Sequence, residues 1–339
     1  MRTATALESV QSKSWSGRAP AITVVVSTHG RSKLLAGLLH DLEAQDHRDF
    51  EVIVADNGSD DSTWTTLTER CTLTPMRLRA LRLPFHDGPA VPRNTCIAEA
   101  RGVLIAFTDD DCLPTKRWLT ALSAAFDVST AIVQGRTIPE PRRWEGPWQR
   151  SLEIQSPSGL YETANLAAKR ESILEAGGFR ADRLLSGRPF GEDVLLGAAI
   201  ARTSGFRFAP EALVHHRVMP GRYRDFLEER RRLAGFPKLL REVPELRDKA
   251  FARVFLSRRT AITDLGLAGV VTCIICGLLS SPVFLVGFIA ALVWFDRLIR
   301  ENRARFGWRR SGLGRLLAAD VVGFGALIAG SVRARRILL

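Results

Sequence analysis

The chain has 339 residues, of which 46% are hydrophobic, and a formal net charge of +12, so it can bury a full core in one large or two modest domains. Its positive charge is unevenly placed, because residues 1–216 carry a net charge of −1 whereas 217–260 and 296–339 carry +7 each. The neutral first two thirds argue against a nucleic-acid-binding protein, which would carry part of its basic surface there.

The two basic segments flank residues 265–295, thirty-one positions without a charged side chain. This run exceeds the roughly 20 apolar residues that cross a bilayer, and it predicts membrane attachment, with a buried hairpin of a soluble protein as the alternative. Ser280, Ser281 and Pro282 divide it, so that the basic flanks favour a hairpin at 262–295 returning to the cytoplasm. A third apolar segment, 313–332, either spans the membrane or lies at its surface.

The segment from 221 to 260 interleaves apolar residues such as Phe226 and Leu233 with arginines such as Arg230 and Arg231. This pattern predicts basic amphipathic helices at a membrane interface, with a solvated helical hairpin as the alternative. Residues 1–20 lack the apolar core of a signal peptide, and they are predicted to form a flexible tail. The five cysteines show no disulfide framework, which indicates a cytoplasmic body.

The first 135 residues alternate between short apolar runs and segments with helical spacing of leucine and alanine. Predicted strands lie at 21–27, 50–55, 77–83, 103–107 and 131–133. Predicted helices lie at 34–42, from about 90 to 100, and at 118–126. Such alternation indicates a parallel sheet with right-handed crossovers. Beyond an irregular stretch at 137–160, we expect a helix opened by Gly191-Glu192-Asp193 and short strands at 206–209 and 212–216.

Acidic residues follow two of the predicted strands directly. Asp56 comes after the second strand, and Asp109, Asp110 and Asp111 come after the strand at 103–107. Crowded carboxylates repel one another, and they are tolerated at the carboxyl end of a central strand when a divalent cation and its phosphates lie in the adjacent crevice. A solvated acidic turn is the alternative for the triplet taken alone.

Taken together, these elements resemble the inverting, family 2 type of nucleotide-sugar glycosyltransferase on the GT-A fold, in its membrane-anchored bacterial form. The elements that carry the resemblance appear in the family's order: the turn Ser27–Arg31, the turn Asp56–Ser59, the segment Gly88–Asn94, the Asp-x-Asp element Asp109–Asp111, and Glu192-Asp193 after Gly177-Gly178-Phe179. The resemblance implies an α/β GT-A domain at 21–220, with a nucleotide-binding half at 21–135 and an acceptor half at 136–220. Membrane-associated helices would then occupy 261–339.

For the donor site, the resemblance implies that Asp56 accepts a hydrogen bond from the nucleobase, with Arg93 nearby. The turn that contains Thr28 and Arg31 would face the base and the phosphates of the donor. Asp109 would contact the ribose or a metal ion. Asp110 would either contact the residues that bind the donor or point away from the site.

The resemblance also implies a Mn²⁺ or Mg²⁺ site. Asp111 would be a metal ligand, Asp109 a second one, and His216 a third, with His215 as the alternative because adjacent strand residues point to opposite faces. Alternation along the chain predicts that Asp109 and Asp111 lie on the same side and Asp110 on the other.

Glu192-Asp193 matches the family's catalytic pair, and the match implies that Asp193 is the general base. It would take the proton of the acceptor hydroxyl while that oxygen attacks the anomeric carbon from the face opposite the diphosphate. One displacement inverts the configuration, so a single base suffices. An acidic pair that merely caps a helix N-terminus is the structural alternative.

The function expected from these residues is metal-dependent transfer from a nucleotide-diphosphate sugar to a hydroxyl of a lipid-linked or cell-envelope glycan. The enzyme would sit at the inner membrane with its catalytic domain in the cytoplasm. A polyprenyl-phosphate glycosyltransferase is one alternative, although its acceptor oxygen is already ionised and has little use for a base. The other alternative is a non-catalytic, membrane-tethered subunit that binds nucleotide sugars.

Overall fold

The computed structural model describes residues 1–15, 17–142, 144–180, 190–278, 283–307 and 312–338. The chain divides into two compact units. The first unit comprises Met1–Arg142 and Ser151–Val218, and the second comprises Arg143–Arg150 and Met219–Leu339. The predicted turn at Ser280–Pro282 lies outside the described residues.

The first unit is built on a mixed sheet with nine strands among the described residues, in the order β1-β4-β3-β2-β5-β8-β7-β9-β6. The strands are β1 (Glu8–Gln11), β2 (Ile22–Thr28), β3 (Phe50–Asp56), β4 (Arg77–Arg82), β5 (Leu104–Phe107), β6 (Cys112–Pro114), β7 (Thr130–Pro139), β8 (Leu166–Lys169) and β9 (Gly205–His216). The neighbours β4, β3, β2 and β5 run parallel, so their carboxyl ends meet at one edge of the sheet.

Helices cover both faces of this sheet. They are α1 (Ser32–Glu43), α2 (Thr63–Leu73), α3 (Ala90–Glu99), α4 (Trp118–Ala124), α5 (Arg170–Glu175) and α6 (Glu192–Thr203). Val24 and Val26 pack against the cluster that contains α1, α2 and α4, whereas Val25 belongs to the cluster on the opposite face with α3 and α6. Because both faces are buried, the strands read as continuous apolar runs in the sequence.

The expected parallel pairing is confirmed for β4, β3, β2 and β5, and β8 adds antiparallel pairs with both β5 and β7. Two other expectations about this unit are wrong. The first 20 residues are not simply a flexible tail, because β1 pairs antiparallel with β4 and Trp15 is buried. The two short strands expected after residue 205 form one strand, β9, and irregular pairing with β7 absorbs the interruption between them.

The second unit is helical. Its helices are α7 (Tyr223–Arg232), α8 (Phe236–Glu242), α9 (Arg258–Leu278), α10 (Phe284–Phe306) and α11 (Leu313–Ala334). Within the described residues, the stretch Arg258–Cys276 and helix α11 are long and apolar enough to cross a membrane, judged by length and composition. Helix α10 carries its charged residues in its second half, from Asp296 onward.

Candidate functional site

The first part of the site lies where β2 and β3 end side by side. Thr28 and Asp56 are the last residues of these strands and pair in register. The Asp56 side chain is fully buried, and its Oδ1 accepts a hydrogen bond from the Ser59 amide at 3.0 Å. Its Oδ2 has no hydrogen-bond partner among the described residues. A buried carboxylate oxygen without a donor is costly, so this atom is suited to accept an N–H from a ligand.

A loop cluster beside Asp56 joins two of the predicted turns to His86, which the sequence did not single out. The His29 and His86 rings lie 4.3 Å apart, and His29 Nδ1 is 3.0 Å from the carbonyl oxygen of Asn57. The Asn57 amide donates to the Gly88 carbonyl at 2.9 Å. Gly58 has a φ of +72°, and a Cβ there would lie 2.7 Å from the Phe85 backbone, so the turn requires glycine. Only the turn-forming composition of this loop could have pointed to it.

The acidic triplet does not alternate as expected. Asp110 and Asp111 both accept hydrogen bonds from Arg31 Nη1, at 2.8 and 3.1 Å, and Asp110 also accepts from the Thr28 hydroxyl at 2.7 Å. Asp109 instead faces Arg93. The expectation fails because β5 ends at Phe107 and the triplet enters a turn, where strand alternation no longer applies. Asp110 therefore lies in the site, next to two other predicted donor-binding residues.

Burial raises the pKa of Asp110 to about 6, against the lowering effects of Arg31 and Thr28. The pKa of Arg31 is itself raised, since Asp110 and Asp111 outweigh the opposing effect of burial. The two groups therefore form a charged pair at neutral pH. Arg31 remains 40% exposed at its side chain, which leaves part of its guanidinium open to an anionic ligand.

His216 lies beside Asp111 because β6 and β9 pair in a register that sets Cys112 opposite His216. Its Nε2 is 3.4 Å from Asp111 Oδ1, and its Nδ1 is 2.9 Å from the Arg217 carbonyl oxygen. In the tautomer that carries its proton on Nδ1, the lone pair of Nε2 faces Asp111 and can bind a cation. His215 occupies the next position along β9, opposite Leu113.

These two side chains fit a divalent cation that takes its remaining ligands from a substrate. Oxygen and imidazole ligands stand side by side, and Mg²⁺ is commonly held by one or two carboxylates together with phosphates. Among the residues that the structure describes, no group of three or more His, Cys, Asp or Glu side chains is arranged to hold a metal alone. Of the three predicted ligands, Asp111 and His216 come together, and Asp109 lies at Arg93 instead.

Arg93 joins the two acidic parts of the site. It lies on α3, and only 9% of its side chain is exposed. Its Nη2 donates to Asp109 at 3.0 Å and its Nη1 to Asp193 at 3.2 Å. Burial would lower the pKa of this guanidinium, but Asp193, Asp109 and Glu192 together raise it. The cation is therefore permanent, and it holds two carboxylates from distant parts of the chain at one place.

Asp193 opens α6 as predicted, after Gly191 in a left-handed conformation with a φ of +74°. Burial raises the pKa of its carboxyl above the ordinary range, and Glu192 and Asp109 add to the rise while Arg93 opposes it. Such a carboxyl changes its charge closer to neutral pH than a solvated aspartate does, as a general base requires.

Thr163 completes the surroundings of Asp193, and no sequence signal singled it out. Its hydroxyl donates to Asp193 Oδ2 at 3.1 Å, and its amide lies 3.3 Å from the same oxygen. It precedes β8 in a short 3₁₀ turn, Thr163–Asn165. Arg93 therefore holds one oxygen of the Asp193 carboxylate and Thr163 holds the other.

The chain is similar in sequence to known glycosyltransferases. The family model described as Glycosyl transferase family 2 matches residues 23–183. The chain is 25% identical over 179 residues to the glycosyltransferase AglE of Haloferax volcanii, and this alignment covers 50% of this chain and 58% of that protein. It is 29% identical over 161 residues to the poly(ribitol-phosphate) beta-N-acetylglucosaminyltransferase TarS of Staphylococcus aureus, covering 42% and 28%. The matches thus span less than two thirds of either relative.

A solved structure shares the fold. The mannosyltransferase PcManGT from Pyrobaculum calidifontis, determined in complex with GDP-Man and Mn²⁺, superposes with a TM-score of 0.56 at 18% identity, over 95% of this chain and 88% of that one. This likeness confirms the expected GT-A fold with helices following the mixed sheet.

Proposed function

We propose that this chain, whose residues 23–183 belong to glycosyl transferase family 2, transfers a sugar from a nucleotide-diphosphate sugar to a hydroxyl group with inversion at the anomeric carbon. The observation that carries the proposal is the bridge by which Arg93 ties Asp109, after a central strand, to Asp193, at the start of α6. A donor-side acid and a candidate base are thereby held close together at one guanidinium, which supports their joint action in a single displacement.

In this proposal the ends of β2 and β3 bind the nucleotide. Asp56 Oδ2 accepts an N–H from the base, and its lack of a partner among the described residues supports the role. Thr28 and Asp110 hold Arg31 toward the phosphates, and Asp109 accepts from the ribose. Arg31 and Arg93 supply positive charge for a diphosphate in the crevice, since guanidinium groups pair well with phosphate oxygens.

Asp111 and His216 would hold Mn²⁺ or Mg²⁺. When bound, such an ion neutralises the charge that develops on the departing diphosphate. The short separation of the two side chains supports this assignment, and it makes nucleotide binding dependent on divalent metal. Asp109 remains a proposed ligand only if it leaves Arg93.

Asp193 is the proposed base. It takes the proton of the acceptor hydroxyl while Thr163 and Arg93 keep its two oxygens in place. Glu192 acts through its charge, which raises the pKa of Asp193. Because one displacement needs one base, the product has the anomeric configuration opposite to that of the donor.

We further propose that the acceptor is a glycan that is lipid-linked or belongs to the cell envelope, and that the enzyme works at the cytoplasmic face of the inner membrane. The two apolar C-terminal helices support a membrane location. The raised pKa of Asp193 supports a hydroxyl acceptor over a polyprenyl phosphate, whose oxygen needs no base. The Staphylococcus relative is a poly(ribitol-phosphate) beta-N-acetylglucosaminyltransferase, and poly(ribitol phosphate) is a hydroxyl-bearing polymer.

Thermal shift with UDP and GDP, each with and without MnCl₂ or MgCl₂, tests the donor site. We expect one nucleotide to raise the melting temperature, and to do so only with metal, because a ligand that binds the folded state stabilises it. The matching nucleoside monophosphate serves as the control. Absence of any shift with either diphosphate at millimolar concentration would remove the basis for the proposal.

Turnover with nucleotide sugars then tests the reaction. NMR of the product is expected to show an inverted anomeric configuration, and retention would contradict a single displacement. Full activity of an Asp193→Asn variant on a short polyprenyl phosphate would favour the polyprenyl-phosphate alternative. Metal-dependent binding with neither transfer nor donor hydrolysis across many acceptors would favour a non-catalytic binding subunit.

A further inference from the structure

The second unit presents an apolar finger, formed by residues 269–278 of α9 and 283–293 of α10. Ten of its large apolar side chains are between 49% and 71% exposed, among them Val271, Ile274, Ile275, Val286, Phe288 and Ile289. Single exposed apolar residues are ordinary on a protein surface, but a contiguous patch of this kind marks an interaction site. The whole stretch 265–295 carries no charged side chain, so the finger has no group that could form an ion pair with a partner.

Two glycines hold the arms of the finger together. A Cβ on Gly287 would lie 2.7 Å from the Gly269 carbonyl oxygen, and one on Gly269 would lie 3.1 Å from Ala290 Cβ. Small residues that let two helix backbones approach closely are characteristic of helix pairs in lipid, where the apolar side chains face outward. The arms are thus packed closely on each other at these glycines.

A charged cluster marks the base of the finger. Asp320, in the middle of α11, accepts from the Trp294 indole at 2.9 Å and pairs with Arg297. Glu301 pairs with Arg297 at 2.7 Å and with Arg259 at 3.1 Å. Thr263 of α9 contacts Asp320 at this level, and the described part of α9 extends fifteen residues beyond it to Leu278, about 22 Å at 1.5 Å per residue. That is shorter than the roughly 30 Å hydrocarbon core of a bilayer.

Helix α11 follows a strongly charged segment along its length. The Tyr223 hydroxyl donates to the Arg315 carbonyl at 2.9 Å, a Cβ on Gly323 would lie 3.4 Å from Leu233, and Arg247 lies 3.4 Å from the Ile337 carbonyl. The companion segment, from α7 through α8, carries many arginines. Were α11 to cross a bilayer, these charges would enter the hydrocarbon with it, at a high cost for each.

The opposite face of α11 is apolar. Leu317, Val321, Ile328 and Val332 are at least 39% exposed, and their spacing of four and seven places them on one side of the helix. The buried side contains Leu316, Ala319 and Leu327. A helix with a packed face and an exposed apolar face suits the surface of a leaflet.

From these observations we infer that the partner of this unit is a single leaflet of a lipid bilayer: the finger inserts to mid-membrane, α11 lies along the membrane surface, and no described helix crosses to the far side. The candidate span at α11, which length and composition alone allow, is then a surface helix. The inference does not depend on the reaction proposed for the donor site.

Depth of insertion provides the first test, on full-length protein with Cys273 and Cys276 replaced by serine; the three remaining cysteines are buried. A fluorophore is attached to the new cysteine of an Ile274→Cys, Val321→Cys or Val332→Cys variant. Each labelled variant is then bound to vesicles of phosphatidylethanolamine and phosphatidylglycerol. We expect spin labels deep in the acyl chains to quench Ile274→Cys most, and shallow labels to quench both α11 positions equally. Deep quenching at one α11 position and shallow quenching at the other would overturn the inference.

Sidedness provides the second test, with a membrane-impermeant maleimide on bacterial host cells. In intact spheroplasts, Val283→Cys and Val332→Cys are expected to stay unlabelled, whereas Val332→Cys reacts in inverted vesicles. Labelling of Val283→Cys from the outside would show a spanning hairpin. Labelling of Leu317→Cys and Val332→Cys from opposite sides would show a spanning α11.

A charge placed on the finger tests the partner itself. The double variant Ile274→Asp/Val286→Asp should lower partitioning onto the same vesicles on the order of 100-fold or more, because acids are strongly disfavoured in hydrocarbon. Val128→Asp is the matched control, since Val128 is 99% exposed in the first unit, and it should bind like the parent. If the double variant kept the parental melting temperature and its partitioning onto vesicles were unchanged, membrane insertion would be contradicted. A finger that only joined copies of the chain would contradict it as well.

Discussion

Two clusters in the chain bury carboxylates against arginines, and Glu301 in one of them is more completely paired than Asp56 in the other. In the second unit, Glu301 pairs with Arg259, Arg297 and Arg305. In the first unit, Asp56 keeps one oxygen without a partner among the described residues, and Asp193 shares a single arginine with Asp109.

This difference separates two uses of the same chemistry. A buried acid whose partners are all internal ties elements together, and its removal leaves unpaired cations. An acid that is only partly paired has capacity left for a ligand. The comparison therefore assigns stability to Asp320 and Glu301 and chemistry to Asp56, Asp111 and Asp193, and five experiments can break or sharpen that division.

The largest effect is expected for Asp193→Asn. Loss of the proposed base should lower kcat by about 10²- to 10⁴-fold, the usual contribution of general-base catalysis, while UDP or GDP affinity stays within about twofold. Turnover and calorimetric titration measure the two quantities. An equal loss in both would show that Asp193 binds the donor, and the contrast with the second unit would weaken.

Asp320→Ala tests the other side of the comparison. Removing one partner from a buried charge cluster should cost about 3 kcal/mol of unfolding free energy, because Arg297 and the Trp294 indole lose their acceptor. The lower melting temperature of the variant in detergent measures this loss of stability. Nucleotide affinity should be unchanged, and a selective loss of nucleotide binding without lost stability would contradict the structural role.

His216→Ala should weaken Mn²⁺-dependent nucleotide binding by about 10- to 100-fold, in the range found when metal-site residues are removed. His215→Ala is the matched control, since it occupies the neighbouring position on β9 opposite Leu113, and it should bind like the parent. Titration of Mn²⁺ by electron paramagnetic resonance reads the ion directly. Equal effects in the two variants would rule out a specific role for His216.

Asp56→Ala should lower nucleotide affinity by about tenfold, as expected for loss of one charge-assisted hydrogen bond. Pyrophosphate with Mn²⁺ is the control ligand, because it lacks a base and should bind both proteins alike. If the variant lost pyrophosphate binding to the same extent, Asp56 would be holding the loop in shape, as an internally paired acid does.

The smallest effect concerns pH. A carboxyl with a raised pKa keeps its proton to higher pH, so turnover should rise with pH through a limb that lies above the ordinary aspartate range of about 3.9. Thr163→Val removes a hydroxyl that favours the charged form, and the limb should move up by about 0.5 pH units. Thr163→Ser keeps the donor and should match the parent. A limb that did not move would show that Thr163 only shapes the turn.

Much of the fold can be predicted from local patterns, because buried strands and amphipathic helices differ in the period of their apolar residues. Leu35, Leu38, Leu39 and Leu42 repeat at helical spacing and are all buried. Strand β1 cannot be predicted this way: its sequence Glu-Ser-Val-Gln is polar, because it lies at the sheet edge with most of its side chains exposed.

The candidate site divides in the same manner. Acids at strand ends can be found by position, since parallel strands bring their carboxyl ends to one edge. The direction of the Asp110 side chain depends on where β5 ends. Because β5 ends at Phe107, two residues before Asp109, the alternation of a strand does not extend into the acidic triplet. The bonds from Arg93 and Thr163 to Asp193 join residues 100 and 30 positions apart, and no local pattern encodes such contacts.

The bridge at Arg93 also bears on how much variation this position tolerates. A lysine carries the same charge, but its single ammonium lacks the planar fork that reaches Asp109 and Asp193 at once. In a library that samples every residue at every site, lysine should therefore be depleted at 93 nearly as strongly as uncharged residues. Surface arginines such as Arg18, whose side chain is 81% exposed, should accept lysine freely.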